Sequence, residues 1–286
     1  MIPHSRPDIN EADIRAVAAT LRRGQLSQGR EVAALEEALS SMFGNAEAVV
    51  VSSGTAALYL ALAALGAGRG NKVIIPSYTC NSLFSAVRFA SAKAVCADCA
   101  PGSVNVDRDT VQAVMDESVK AVIVPHMFGY LADVPAIVRL GRPVIEDCAQ
   151  AIGGRYPDGS PVGSKGTVAV FSFYATKLVP AGEGGACITR NHGLAAAIRG
   201  LRDCDKRPPD EKAFNFKMTD IGAALARRKL AELPRALRRR AALAGIYDKS
   251  FRELSFRSGS PEQQAACFRY IATTSAGIET VLDRTL

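Results

Sequence analysis

The sequence predicts an α/β protein built on a mostly parallel sheet of about seven strands, with helices on both faces. Two observations carry that prediction. Short β-rich runs recur at 48–52, 72–76, 94–97, 121–125, 143–147, 168–173 and 186–189, and several of their centres (VVV, VII, VIV, VIE, VAVFSF) are continuously apolar. Continuous apolarity suits strands covered on both faces, as in a parallel sheet. Stretches of helical character at 55–65, 81–90, 108–117 and 133–140 separate the first five runs and fit crossover helices.

The flanking elements follow in order. Residues 1–44 read as an N-terminal helical segment, with helices at Glu11–Arg23 and Glu31–Phe43 separated by a break at Gly24–Gly29. Residues 45–251 read as the large domain. Its last element is a long helix from about Thr219 to Phe251, which Pro234 is expected to break. Residues 252–286 read as the start of a small C-terminal domain, strand-like at Cys267–Ala272 and then helical. Phe256, Phe268, Tyr270 and Ile271 there are expected to lack full packing partners.

Composition narrows the function classes. With 48% hydrophobic and 22% charged residues, the chain is neither disordered nor a cysteine-stapled scaffold. Its longest apolar stretch, Ala56–Gly68, is too short to cross a bilayer, and the N-terminus lacks a signal-like apolar run. Seven scattered cysteines then read as reduced thiols of a cytoplasmic protein. Cys96 and Cys99 form a lone CxxC and read as buried strand-end residues. Three scattered histidines give no metal site. The net charge of +7 gathers largely in Arg227, Arg228, Lys229, Arg235, Arg238, Arg239 and Arg240. Leucines interleave with these charges, as on an amphipathic helix with a solvated basic face. Without a nucleic-acid reading module, attraction for small anions is the economical use of this charge.

The chemistry-bearing residues fall just past strands, where ligands bind in open α/β sheets. Ser52-Ser53-Gly54-Thr55 opens a helix after the first strand, a small-residue turn suited to an anion. Asp147 ends an apolar strand and, taken alone, reads more often as a helix cap. Ser172 and Lys177 follow the next strand, where a lone lysine is more often a surface residue. Gly182-Glu183-Gly184-Gly185 then implies tight backbone geometry. His126, past another strand, reads as structural. Together the pieces fit pyridoxal phosphate. Lys177 would be its amine partner and base, and Asp147 the partner of its ring nitrogen. Gln150 would lie at its phenolate oxygen, with Ser172, Gly54 and Thr55 at its phosphate.

Longer motifs carry a resemblance. SQGREVAALEEAL, SSGTAALYLAL, VIIPSYTC, VIVPHMFGYLADV, VIEDCAQAIGG, FSFYATKLVPAGEGGACITR and FNFKMTDIGAAL resemble the DegT/DnrJ/StrS family of sugar aminotransferases, over roughly residues 5–250. The resemblance implies pyridoxal phosphate fold type I, with Lys177 as the Schiff-base lysine and Asp147, Gln150, Gly54, Thr55 and Ser172 as above. It implies a homodimer with a shared site, in which Asn215 of FNFKM reaches the partner's phosphate. It also implies a nucleotide-linked keto-sugar as substrate, with glutamate or glutamine as amine donor. Lys177 argues against the relatives that carry His there and dehydrate instead. Cys80 stands where relatives place an aromatic residue on the cofactor ring, so the expectation is that Tyr78, Phe84 or another ring serves, or that the cofactor ring is held less tightly. Relatives continue into a longer C-terminal domain, which leaves a catalytically impaired or regulatory relative as the rival reading, and a keto-cyclitol aminotransferase as a second.

Overall fold

The computed structural model describes residues 5–206, 208, 211–250 and 266–271. Seven strands form one sheet: β1 (Glu47–Val51), β2 (Lys72–Pro76), β3 (Lys93–Ala97), β4 (Val119–Pro125), β5 (Val144–Asp147), β6 (Val168–Ser172) and β7 (Gly185–Thr189). Their spatial order is β1-β7-β6-β5-β4-β2-β3. The β2–β3, β2–β4, β4–β5 and β5–β6 pairs are parallel, whereas β7 is antiparallel to both β6 and β1. Only β7 therefore runs against the rest. The mostly parallel seven-stranded sheet of the sequence reading is present, each strand within a residue or two of its expected place.

Helices cover both faces. On one side lies α3 (Gly54–Ala64), whose Ala56–Leu62 are all buried. Apolarity on every side of the helix explains that burial. It packs beside α4 (Asn81–Phe89) and α7 (His192–Arg202). The short α5 (Arg108–Gln112) and α6 (Val134–Val138) stop earlier than their apolar patterns suggested. The sequence reading also missed α7, although Asn191 caps it and Leu194, Ala195 and Ile198 give its buried stripe.

The other face carries α1 (Glu11–Arg23), α2 (Arg30–Met42) and α8 (Asp220–Ser250). The break expected at Pro234 is absent: α8 runs through it. A proline there forfeits one backbone hydrogen bond and crowds the preceding turn, at about 3 kcal/mol. Packing of α8 along α1 and α2 holds the helix together, with Leu233 buried one residue before the proline. Its amino-terminal basic residues are not solvated as expected. Lys229 is 5% exposed and bonds Asp13 and Glu232, while Arg227 bonds Glu31.

Asp220 locks this face. Gly29, the N-cap of α2, has no capping side chain of its own. Fully buried Asp220 supplies the cap from α8, accepting from the N–H groups of Gly29 (2.8 Å), Val32 (3.1 Å) and Glu31 (3.2 Å). No described helix is long and apolar enough to cross a membrane. Most of the expected small domain lies outside the described residues, including Phe256. Residues 266–271 form no strand. Phe268 does have packing partners, being 7% exposed, and Tyr270 sets its ring 5.1 Å from that of Tyr247.

Asp220→Ala should leave three α2 amides without their acceptor and lower stability by about 2–3 kcal/mol. Urea unfolding followed by circular dichroism measures this directly. A change below about 0.5 kcal/mol would mean that the cap contributes little.

Candidate active site

Because only β7 is reversed, the carboxyl ends of β1, β5 and β6 share one edge of the sheet with the start of β7. A cavity of about 450 Å³ opens there. Its wall includes Ser53, Gly54, Thr55, Asp147, Ser172 and Lys177. Five of the seven residues singled out from the sequence thus meet in one place.

The anion cup is set by close backbone approach. Ser53 caps α3 through its Oγ, which accepts from Ala56 N–H at 3.0 Å. The Gly54 and Thr55 N–H groups belong to the first helical turn, which has no intrahelical acceptors, and the helix dipole adds positive potential there. A Cβ on Gly54 would lie 2.8 Å from Ser172 Cβ, and one on Gly185 would lie 2.6 Å from the Ser53 carbonyl. Glycine is required at both positions for α3, β6 and β7 to meet.

Lys177 is presented by the turn between β6 and β7. Backbone bonds Phe173 N–H to Gly184 O (2.8 Å), Ala175 N–H to Gly182 O (2.9 Å) and Lys177 N–H to Tyr174 O (2.8 Å) fix that turn. Its Nζ lies 5.3 Å from the centre of the Phe268 ring, within cation–π range. Phe268 belongs to a strap held on the 127–129 turn by Ala266 N–H to Gly129 O (3.1 Å) and Arg269 N–H to Phe128 O (3.3 Å). Arg240 donates to Phe268 O at 3.0 Å.

Comparison with known proteins then decides the family. Residues 7–283 match the DegT/DnrJ/EryC1/StrS aminotransferase family. The chain belongs to this family. The fold is similar to that of the aminotransferase TlmJ from Streptoalloteichus hindustanus, with a TM-score of 0.92 and 27% identity, covering 99% of this chain and 81% of that one. DesV from S. venezuelae, solved with a ketimine intermediate, gives 0.89 and 31%, covering 96% and 77%. A Streptococcus pneumoniae protein described as a sugar aminotransferase, in its PLP form, gives 0.91 and 26%, covering 99% and 82%.

Family members use pyridoxal phosphate, and the residues present fit it. The cup where no Cβ can enter suits a phosphate. Asp147 suits a cationic ring nitrogen. It is 5% exposed, and burial raises its carboxyl above the ordinary range; the Ala149 N–H and the charge of Lys177 lower it, but less. A carboxylate in that position costs stability until a cation faces it.

Glu146, one residue earlier and on the opposite face of β5, has the reverse character. Burial works to raise it, but hydrogen bonds from His126, Tyr156 and Gly163 outweigh burial and hold it below the ordinary range. It accepts from His126 Nε2 (3.1 Å), Tyr156 OH (2.7 Å), Lys165 N–H (3.0 Å) and Gly166 N–H (2.8 Å), and from Gly163 N–H. His126 Nδ1 accepts from Ala132 N–H, which assigns the ring proton to Nε2. Both nitrogens of His126 and both oxygens of Glu146 are therefore engaged within the protein, and His126 is the structural residue it resembled in sequence.

Gln150 and Asn215 lie outside the cavity wall. Gln150 Oε1 accepts from Phe128 N–H at 2.9 Å and its Nε2 lies 3.9 Å from Met127 Sδ, so it holds the 127–129 turn. Phe128 sits at φ +58° there, a conformation an L-residue keeps only when its surroundings impose it. Asn215 is exposed, on a segment bridged to Asp203. Cys80 lines the cavity at the N-cap of α4, whereas Tyr78 and Phe84 are exposed and outside it; Tyr174 supplies the ring in this wall. Cys96 is exposed on edge strand β3 and Cys99 half-exposed, not buried as expected. Glu183 and Tyr174 are cavity residues that sequence reasoning passed over, although both sit inside the quoted FSFYATKLVPAGEGG motif.

Glu146→Gln should cost about 2–4 kcal/mol at neutral pH, because buried donors lose a charged acceptor. A depressed carboxyl stabilises the fold above its ordinary value of 4.5, and that contribution is lost as pH falls through the lower folded value. The stability gap between parent and variant should therefore be full at pH 7 and shrink below about pH 4. A gap that is constant from pH 7 to 3 would show that charge is not the stabilising feature.

Proposed function

We propose that this protein transfers an amino group from glutamate or glutamine to a nucleotide-linked keto-sugar, using pyridoxal phosphate as a cytoplasmic homodimer with a shared site. The observation that carries the proposal is the meeting of Lys177, Asp147 and the α3 amino terminus in one cavity. Bound pyridoxal phosphate supplies a carbonyl group and an electron sink there. The rest of the work falls to the chain. The Gly54 and Thr55 N–H groups and the Ser172 hydroxyl hold the phosphate. Asp147 faces the ring nitrogen and favours its protonated form. Lys177 Nζ is the only lysine amine among the cavity's lining residues, so it takes a proton from the bound donor and returns it. Asn215, exposed and outside its own cavity wall, would reach the cofactor phosphate of the partner subunit.

Spectra test the reading. Parent protein reconstituted with pyridoxal phosphate should absorb in the visible, and glutamate should abolish that band. Lys177→Ala should lose the lysine-linked band and at least about 10²–10⁴ in transfer rate, the usual worth of a general base. A variant that retained both would remove Lys177 from the chemistry.

Asp147→Asn separates site from scaffold. Removing a buried carboxylate whose charge is disfavoured should leave cofactor-free stability equal or higher at neutral pH, while retention of pyridoxal phosphate and turnover both fall. Lower cofactor-free stability would return Asp147 to the role of a cap for the 148–150 turn.

A further inference from the structure

Among the described residues, no hydrogen bond or ion pair holds Lys177 Nζ. Its charge bears on Asp147, but the two are not joined as an ion pair. What the amine does meet is the Phe268 ring, 5.3 Å away at its centre. That ring is 7% exposed, and the Arg269 guanidinium lies 5.5 Å from the same centre. An aromatic face attracts an ammonium group. Phe268 is not in the wall that Lys177 shares with Gly54, Asp147 and Ser172. A lysine nitrogen that bonds to a carbonyl carbon inside that cavity therefore has to leave the ring.

The ring is fixed from behind. Its strap bonds the 127–129 turn on both sides of Phe268, through Ala266 N–H and Arg269 N–H. A Cβ on Gly129, which sits at φ +90°, would lie 3.1 Å from Phe268 N and 3.2 Å from Cys267 N, so glycine is what lets the strap seat this closely. Arg240 donates to the carbonyls of Cys267 (3.4 Å) and Phe268 (3.0 Å). Gln150 braces the same turn through Phe128 N–H. The ring thus has little freedom, whereas the four-carbon stem of Lys177 has much.

We propose that Phe268 is a positioning residue, the resting place of the Lys177 amine whenever that amine is free. The proposal rests on the aminotransferase reading, in which Lys177 alternates between two conditions. With pyridoxal phosphate loaded, its nitrogen is bonded to the cofactor's carbonyl carbon. The donor nitrogen takes over that carbon and Lys177 leaves as an amine. It is still free when water has released the keto acid and the cofactor keeps the amino group as pyridoxamine phosphate. Phe268 favours this second condition. It holds the ammonium away from Asp147, which stays available to the ring nitrogen, and keeps it beside the cavity for its return. Phe268 therefore biases the protein toward pyridoxamine phosphate and against capture of pyridoxal phosphate, by the worth of one cation–π contact.

Calorimetric titration of the cofactor-free protein with pyridoxal phosphate and, separately, with pyridoxamine phosphate tests this. Phe268→Leu and Phe268→Met keep an apolar side chain and remove the aromatic face. Both should bind pyridoxal phosphate about three- to tenfold more tightly than the parent, because the amine no longer has a ring to leave. Affinity for pyridoxamine phosphate, which leaves Lys177 free before and after binding, should be unchanged. Phe268→Tyr, which restores the face, should match the parent for both. The glutamate half-reaction, read from the visible band at equilibrium, should move toward pyridoxal phosphate by the same factor in the Leu and Met variants. Equal loss of affinity for both cofactor forms would show that Phe268 only packs the site. Unchanged or weaker binding of pyridoxal phosphate would equally overturn the resting place. Failure of the underlying reading shows separately, as a parent that forms no lysine-linked visible band or whose band ignores glutamate.

Discussion

The site depends first on how β5 ends. Two adjacent carboxylates, Glu146 and Asp147, point to opposite faces of the strand and meet opposite conditions. Glu146 has five protein donors, drawn from the end of β4 and from the 156–166 segment. Those bonds tie β4, β5 and the chain leading into β6 into one rigid unit. Asp147 takes Ala149 as its donor and turns the rest of its carboxylate toward the cavity. The Glu146 carboxylate, with its five donors, fixes the position, and Asp147, with burial raising its carboxyl above the ordinary range, is the one that lines the cavity. His126 joins the two: its ring bonds Glu146, and its backbone N–H donates to Asp147 O at 3.1 Å.

A second constraint acts from the other face. Asp220 begins α8 and caps α2, so the longest helix starts from a fixed point. Ion pairs with α1 and α2 then hold its first turns, and the remainder extends past Pro234 toward the Lys177 turn and the Phe268 strap. This explains why a helix carrying a proline remains whole. It also explains why SQGREVAALEEAL and FNFKMTDIGAAL, some 190 residues apart, belong to one feature: Gly29 of the first is capped by Asp220 of the second.

Most of this architecture was legible in the chain because burial on both faces leaves a strong local signal. The runs VVV, VII and VIV announce strands without help from any partner. Gly54, Thr55, Asp147, Ser172 and Lys177 were legible because strand ends gather at one edge whatever the details. The reversed direction of β7 was not, since apolar runs carry no sense of direction. Pro234 misled because its local cost is real and its compensation comes from α1 and α2. Gln150 shows a different limit. Its Oε1 accepts from Phe128 N–H in a turn where Phe128 takes φ +58°, a contact that no local pattern reveals.

The charge of the chain acquires a position from the same packing. A surplus of +7 read from composition says only that anions are attracted. The structure sorts the surplus by partner. Acidic residues of α1 and α2 neutralise the part of α8 that builds the scaffold, which leaves Arg235 and Arg239 to set the potential beside Lys177. Arg235 and Arg239 are exposed on a cavity wall that Lys177 shares, so the potential they add beside Lys177 falls as salt rises. The pairing that stabilises the helix thus also localises the field, because each carboxylate used on the scaffold side is one fewer available to quench the cavity.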